Sequence, residues 1–263
     1  MTKLMDDVEL YSDLLASVGT GRHNRPLIPI ECSDLIMRLK EETGESWEQL
    51  SKRLQLGKKS KITTMDAPRD TTQIRHFAKL QNLSRKNAYA LGFGISGDGA
   101  IGFTIGALVA DLPEKKDHDL ILDAVLQSYE GSKPLVKEDV KKIVQMRKKS
   151  PDASLESIIK RISDFNPKPE TSYVILIQPS LELLDAIHKK KDKQDSDAKD
   201  FLKSVIDSQL NENQISLIKL RNNLILITMD EKNFQKTENN WKSQNLNVTD
   251  YFNSIIKRGM KIE

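Results

Sequence analysis

The stretch "NPKPETS", residues 166–172, constrains this chain more than any other, because Pro167 and Pro169 each push the residue before them out of helical backbone. The hydrophobic period changes across it. Upstream, apolar residues recur at three- and four-residue spacing, and no strand signal appears before residue 170. Downstream, "SYVILIQ" is a continuous β-branched run, and "ISLIKLRNNLILITM" reads as two strands around a turn at Arg221, Asn222 and Asn223. The pattern predicts a mainly α chain: an all-helical part, then a small α+β part with about three strands. The expected divisions are an N-terminal helix or arm at 1–20, a helical domain at 21–165, a linker at 166–171 and an α+β domain at 172–263. A chain of 263 residues is long enough for two such domains to bury cores of their own.

Start and stop signals place the helices. "KLMDDVELYSDLLASVG" carries Leu4, Val8, Tyr11, Leu14, Leu15 and Val18 at helical spacing and halts at Gly19. "IPIECSDLIMRLKEETG" starts helical at Pro29, whose missing amide costs nothing at a first turn, and stops at Gly44. In "SWEQLSKRL", Ser46 is the N-cap, Gln49 completes a capping box, and Trp47, Leu50 and Leu54 face inward. "AIGFTIGALVADL", "EKKDHDLILDAVLQSY", "VKEDVKKIVQMRKKS" and "SLESIIKRI" continue the helical pattern up to the prolines. Beyond them, "PSLELLDAIHKKK", "DAKDFLKSVIDSQL", "EKNFQKTENNWKSQ" and "VTDYFNSIIKRG" are helices around the strands, and "KKKDKQDSDAKD" is a solvated helix end or loop.

"DTTQIRHFAKLQNLS", residues 70–84, bears most on function. Ile74, Phe77, Ala78 and Gln81 form its inner face, while Thr72, Arg75, His76 and Lys79 repeat the spacing on the other side. Asp70 is placed to cap this helix, with Gln73 at the return position. The helices at 46–54 and 70–82 then have the lengths and faces of a helix-turn-helix pair, although about fifteen residues separate them where such a motif ordinarily has three or four. Thr71, Thr72, Gln73, Arg75 and His76 would lead the second helix into a major groove. Arginine bonds guanine bidentately, glutamine does so with adenine, and threonine suits a phosphate oxygen or the thymine methyl.

Charge is concentrated around this helix. Between Lys52 and Lys86 stand ten basic residues and two acidic ones, a net +8, which leaves −5 for the rest of a chain whose total is +3. A phosphate-binding surface needs such concentration, because each neutralised phosphate releases condensed counterions. Lys58, Lys59, Lys61, Arg69, Thr71, Lys79, Arg85 and Lys86 are the expected phosphate contacts, beside Thr72, Gln73, Arg75 and His76 at the bases.

In order and spacing, "NRPLIPIECSDLIMRLKEETGESWEQLSKRL", "DTTQIRHFAKLQNLS" and "LVKEDVKKIVQMRKKSPDASLESIIKRI" resemble the central DNA-binding region of the ParB-like partition proteins, over roughly residues 22 to 163. The resemblance implies an all-helical helix-turn-helix domain that binds a palindromic or repeated site on double-stranded DNA as a homodimer, in DNA segregation or transcriptional control. It also implies a partner ATPase, although members that recruit one often use a basic N-terminal peptide and this chain opens with an acidic one. Members that clamp DNA with a nucleotide carry a whole further domain before this region. About twenty residues stand there in this chain, so CTP is not among the expectations.

Other motifs carry less. "GFGISG", Gly92 to Gly97, matches a dinucleotide-binding spacing, but that mechanism needs a preceding strand, and "RKNAYAL" reads as helix. His23, His76, His118 and His188 are scattered without zinc-ligand spacing, and Cys32 lies beside an apolar helix face as a small core residue. Carboxylate pairs such as Asp6-Asp7 and Glu41-Glu42 fall on solvated faces. No enzyme activity, metal or cofactor is expected. With one cysteine, no opening signal sequence and no apolar run long enough to span a bilayer, the expected setting is the cytoplasm, on the nucleoid. The competing readings are a nucleotide-binding enzyme using the glycine-rich turn, and an interaction module whose basic segment meets an acidic protein.

Overall fold

The computed structural model describes Leu14 and residues 27–56, 71–93, 100–131, 133–163, 166–168, 170–194, 197–210, 214–221 and 224–262. Most of the expected helix at 3–19 lies outside these residues; Leu14, within it, is helical and fully buried. Helix α1 (Pro29–Thr43) starts on its proline and ends where Gly44 takes φ +66°, a conformation a side chain would strain. Helix α2 (Trp47–Arg53) closes the expected capping box: Gln49 N donates to Ser46 Oγ at 3.2 Å and Ser46 N donates to Gln49 Oε1 at 2.7 Å. Lys40 Nζ lies 4.8 Å from the Trp47 ring centre and also donates to Glu45 O at 2.8 Å, fixing the corner between the two helices. Helices α3 (Thr72–Leu80) and α4 (Arg85–Ala88) follow.

An all-helical first part requires correction. Strands β1 (Leu91–Gly92) and β2 (Ile101–Gly102) pair in parallel within it. Two residues are too few to show a period, so no pattern announces them. Gly92 is needed for the pairing, since a Cβ there would lie 2.7 Å from Ala100 Cβ. The chain continues through α5 (Phe103–Val109), α6 (Lys115–Ser128), α7 (Lys137–Lys149) and α8 (Leu155–Ser163).

After the prolines come β3 (Tyr173–Ile177), α9 (Leu181–Gln194), α10 (Ala198–Leu210), β4 (Leu217–Arg221), β5 (Leu224–Met229), α11 (Glu231–Ser243) and α12 (Val248–Met260). The three expected strands form one antiparallel sheet in the order β3-β5-β4, with Ile175 and Ile218 both opposite Ile227. Asn222 and Asn223 of the expected turn lie outside the described residues. The fold is therefore mainly helical with a small β part, as the hydrophobic periods predict.

The sheet explains its own unbroken apolar runs. Ile175, Ile177, Ile225 and Ile227 enter the main core, while Leu176 and Leu226 on the opposite face pack with Ala100 from before the prolines. A strand covered on both faces has no reason to alternate. Polar links also cross from one half to the other. Leu176 N donates to Tyr89 O at 2.9 Å, and Val248 N donates to Glu31 Oε1 at 2.7 Å. Secondary structure thus changes character at the prolines, while one hydrophobic core contains residues from both sides.

Candidate nucleic-acid interface

Helix α3 is held by its inner line, Ile74, Phe77 and Leu80, each fully buried. Phe77 stacks on Phe103 of α5 with ring centres 4.9 Å apart, and its carbonyl accepts from Ser33 Oγ of α1 at 2.6 Å. Gly106 of α5 admits the end of α3, because a Cβ there would meet Leu91 Cδ1 at 2.9 Å and Leu80 Cδ2 at 3.2 Å. Bracing comes mainly from α1 and α5, with α2 a lesser contact, so the expected partner helix is not the chief support. The inner face also shifts by one residue from expectation. Leu80 takes the buried place, Ala78 is half-buried, and Gln81 is exposed with its amide on Asp34 Oδ1 at 2.7 Å and Ser33 Oγ at 3.0 Å.

The expected contact residues divide into three sets. Thr72 and Arg75 are exposed on α3, and Thr71, Gln73 and His76 are half-buried beside them. Lys58, Lys59, Lys61 and Arg69 lie outside the described residues, as does Asp70. The N-cap position of α3 falls on Thr71, whose side chain makes no capping bond. The remaining cations are engaged within the fold. Lys79 pairs with Asp111 at 2.8 Å, on a part of the surface open to water. Arg85 pairs with Glu238 of α11 at 2.6 Å, and Glu238 also accepts from Tyr89 Oη at 2.7 Å and pairs with Lys242 at 3.0 Å. Burial first, and then Glu238, push the Tyr89 hydroxyl far above its ordinary range, so it stays a donor.

Lys86 as a phosphate contact is corrected by its burial. Its ammonium sits 2.6 Å from Asp123, whose side chain is 3% exposed, and donates to Glu170 O as well. Asp123 also accepts from Asn87 Nδ2 at 2.8 Å and Glu170 N at 3.0 Å, so this cation completes an internal network. A neighbouring histidine sets the turn after α3. Ser84 N donates to His118 Nδ1 at 3.2 Å, so the ring proton resides on Nε2, which donates to Leu112 O at 2.8 Å. Burial holds the His118 pKa below its ordinary value, in keeping with a neutral ring.

Three carboxylates organise this region: sequence reasoning missed Asp123 and Glu238, and read Glu31 only as part of the Leu27-x-Pro29-x-Glu31 entry to the first helix. Glu31 begins α1, accepting Ile28 N at 3.1 Å besides Val248 N, and burial pushes its pKa up to about 7 against those two bonds. The available signal was its first-turn position in α1; nothing local marks its partner more than two hundred residues away. Among the described residues, no three His, Cys, Asp or Glu side chains are grouped to hold a metal ion, and no helix is long and apolar enough to cross a membrane. Cys32 is fully buried, as its helix face predicts. In comparisons with known proteins, no family model matches this chain, and no curated protein or solved structure matches it significantly.

Proposed function

We propose that this chain is a sequence-specific DNA-binding protein of ParB-like type, acting in DNA partition or transcriptional regulation. The observation that carries the reading is the two-sidedness of α3. Ile74, Phe77 and Leu80 are sealed in the core, while Thr72 and Arg75 emerge on the other flank with Gln73 and His76 at its margin. A rod anchored on its apolar side is suited to lie in a major groove, and these side-chain types read base edges. The basic segment that leads into α3, with Lys58, Lys59, Lys61 and Arg69, supplies charge for the backbone. One such module buries little surface, so a homodimer on a two-fold site, joined through the C-terminal part, supplies the remaining affinity. The protein acts without a cofactor, on the nucleoid in the cytoplasm; an ATPase partner belongs to the partition version of this proposal.

The test is duplex binding by the full chain across salt, on a site found by genomic footprinting and on random DNA. Arg75→Ala is expected to weaken the cognate complex by about 1–3 kcal/mol and to relax one base position. Lys59→Ala is expected to weaken all sequences alike and flatten the salt slope. Equal losses from both variants on cognate and random DNA would reduce the contact to unspecific attraction. Absence of duplex binding at low ionic strength would end the reading.

A further inference from the structure

Several cations around α3 are matched by a carboxylate: Lys79 by Asp111, Arg85 by Glu238, Lys86 by Asp123. Helix α7 differs. Its inner face buries Val140, Ile143 and Val144 against α5 and α8. Arg147 stays within the fold, donating to Asp117 at 2.7 Å and to Ala153 O at 2.8 Å. The outer surface carries Lys137, Lys141, Lys142, Lys148 and Lys149, all exposed. Helical spacing puts Lys137, Lys141 and Lys148 along one line and Lys142 and Lys149 along a second. Glu138 is the one exposed acid on the helix, and among the described residues none of these five lysines has a carboxylate partner.

Fold stability does not account for this arrangement. Lysines in the last turn favour the helix dipole, which covers Lys148 and Lys149, but Lys137 stands in the first turn, where a cation is disfavoured. Like charges at four-residue spacing, as in Lys137 and Lys141, repel by a few tenths of a kcal/mol. From Lys137 to Lys149 the helix extends about 18 Å, a length over which one DNA strand carries about five phosphates. Helix α5 packs against both α3 and α7 and so joins the two helices within the fold.

We propose that the outer face of α7 is a second DNA-contacting surface that follows the phosphate backbone independently of base sequence. It rests on the DNA-binding reading of α3 and extends the contact beyond the basic segment around that helix. The experiment uses the full chain with Lys141, Lys142, Lys148 and Lys149 all changed to Gln, and a second variant with the same four changed to Arg. Affinity is measured on the footprinted site and on random duplex over a range of salt, with thermal melting of each variant to compare folding. The glutamine variant is expected to lose affinity equally on both duplexes. Its salt slope should be shallower by about one for each lysine that meets a phosphate, with the choice between sequences intact. The arginine variant should keep the wild-type slope. A wild-type slope in the glutamine variant, while Arg75→Ala still relaxes site choice, would overturn the second surface and leave the α3 reading standing. A wild-type chain that binds no duplex at low salt would overturn both.

Discussion

Arg75 and Lys86 belong to the same basic segment, and a charge count treats them alike. In the folded chain Arg75 stands in solvent on the flank of α3, while Lys86 is buried against Asp123 on α6. The difference arises from what lies opposite. Helix α3 holds Arg75 exposed on its polar flank, whereas α4 runs into the carboxylates of α6 and α11, which take Lys86 and Arg85. Local charge density therefore identifies a segment, and the carboxylates brought up from elsewhere decide which of its cations remain available to a partner.

The largest test of that contrast is Asp123→Ala, which strands a buried ammonium together with Asn87 Nδ2 and Glu170 N. It is expected to cost about 3–5 kcal/mol by urea denaturation. Replacing Lys86 with Met and Asp123 with Leu together should cost less, because neither charge is then left alone, although Asn87 Nδ2 and Glu170 N still lose their acceptor. Glu238→Ala should lose about 1–3 kcal/mol, since the bonds from Tyr89 and Arg85 go together but Arg85 can turn to water. A loss from Glu238→Ala as large as that from Asp123→Ala would erase the distinction between a surface pair and an internal one.

Acid and base act on two groups of this frame with opposite sign. The folded state holds the His118 pKa below 6.5, so its contribution is present above that value and drains as pH falls toward the lowered one. Glu31 runs the other way: its folded pKa of about 7 exceeds 4.5, so its contribution is full below 4.5 and lost as pH rises through 7. Denaturation midpoints followed from pH 8 to 4 should lose their acid decline in His118→Gln and their rise on going from pH 8 toward 5 in Glu31→Gln. Unchanged profiles in both variants would show that these groups do not govern the response. The smallest effect belongs to Arg75→Ala, expected to move stability by no more than about 0.5 kcal/mol. A larger loss would mean that Arg75 has a structural role after all.

Much of the fold is legible wherever a signal is local. Pro29 and Gly44 bracket α1, Ser46 and Gln49 open α2, and the β-branched runs become β3, β4 and β5. The inner line of α3 is legible to within one residue: Gln81 satisfies the spacing, yet its amide finds Asp34 and Leu80 takes the buried place. What depends on distant residues is not legible. Strands β1 and β2 exist because Gly92 lets Ala100 come close, and Lys86 is buried because Asp123 waits on another helix. Of the candidate site, Thr72 and Arg75 stand where the helical period places them, and the four cations of the 58–69 stretch lie outside the described residues.

The carboxylate at the head of α1 has a consequence for dissecting the molecule. Through Val248 it fastens the last described helix to the first, and Ala100 likewise presses on the far side of the sheet. Severing the chain among the prolines would strip Leu176 and Leu226 of their cover and leave Glu31 without half of its amide donors. A fragment ending there would carry α3 on a scaffold missing a wall, and a loss of binding in such a fragment would say little about which half makes the contact.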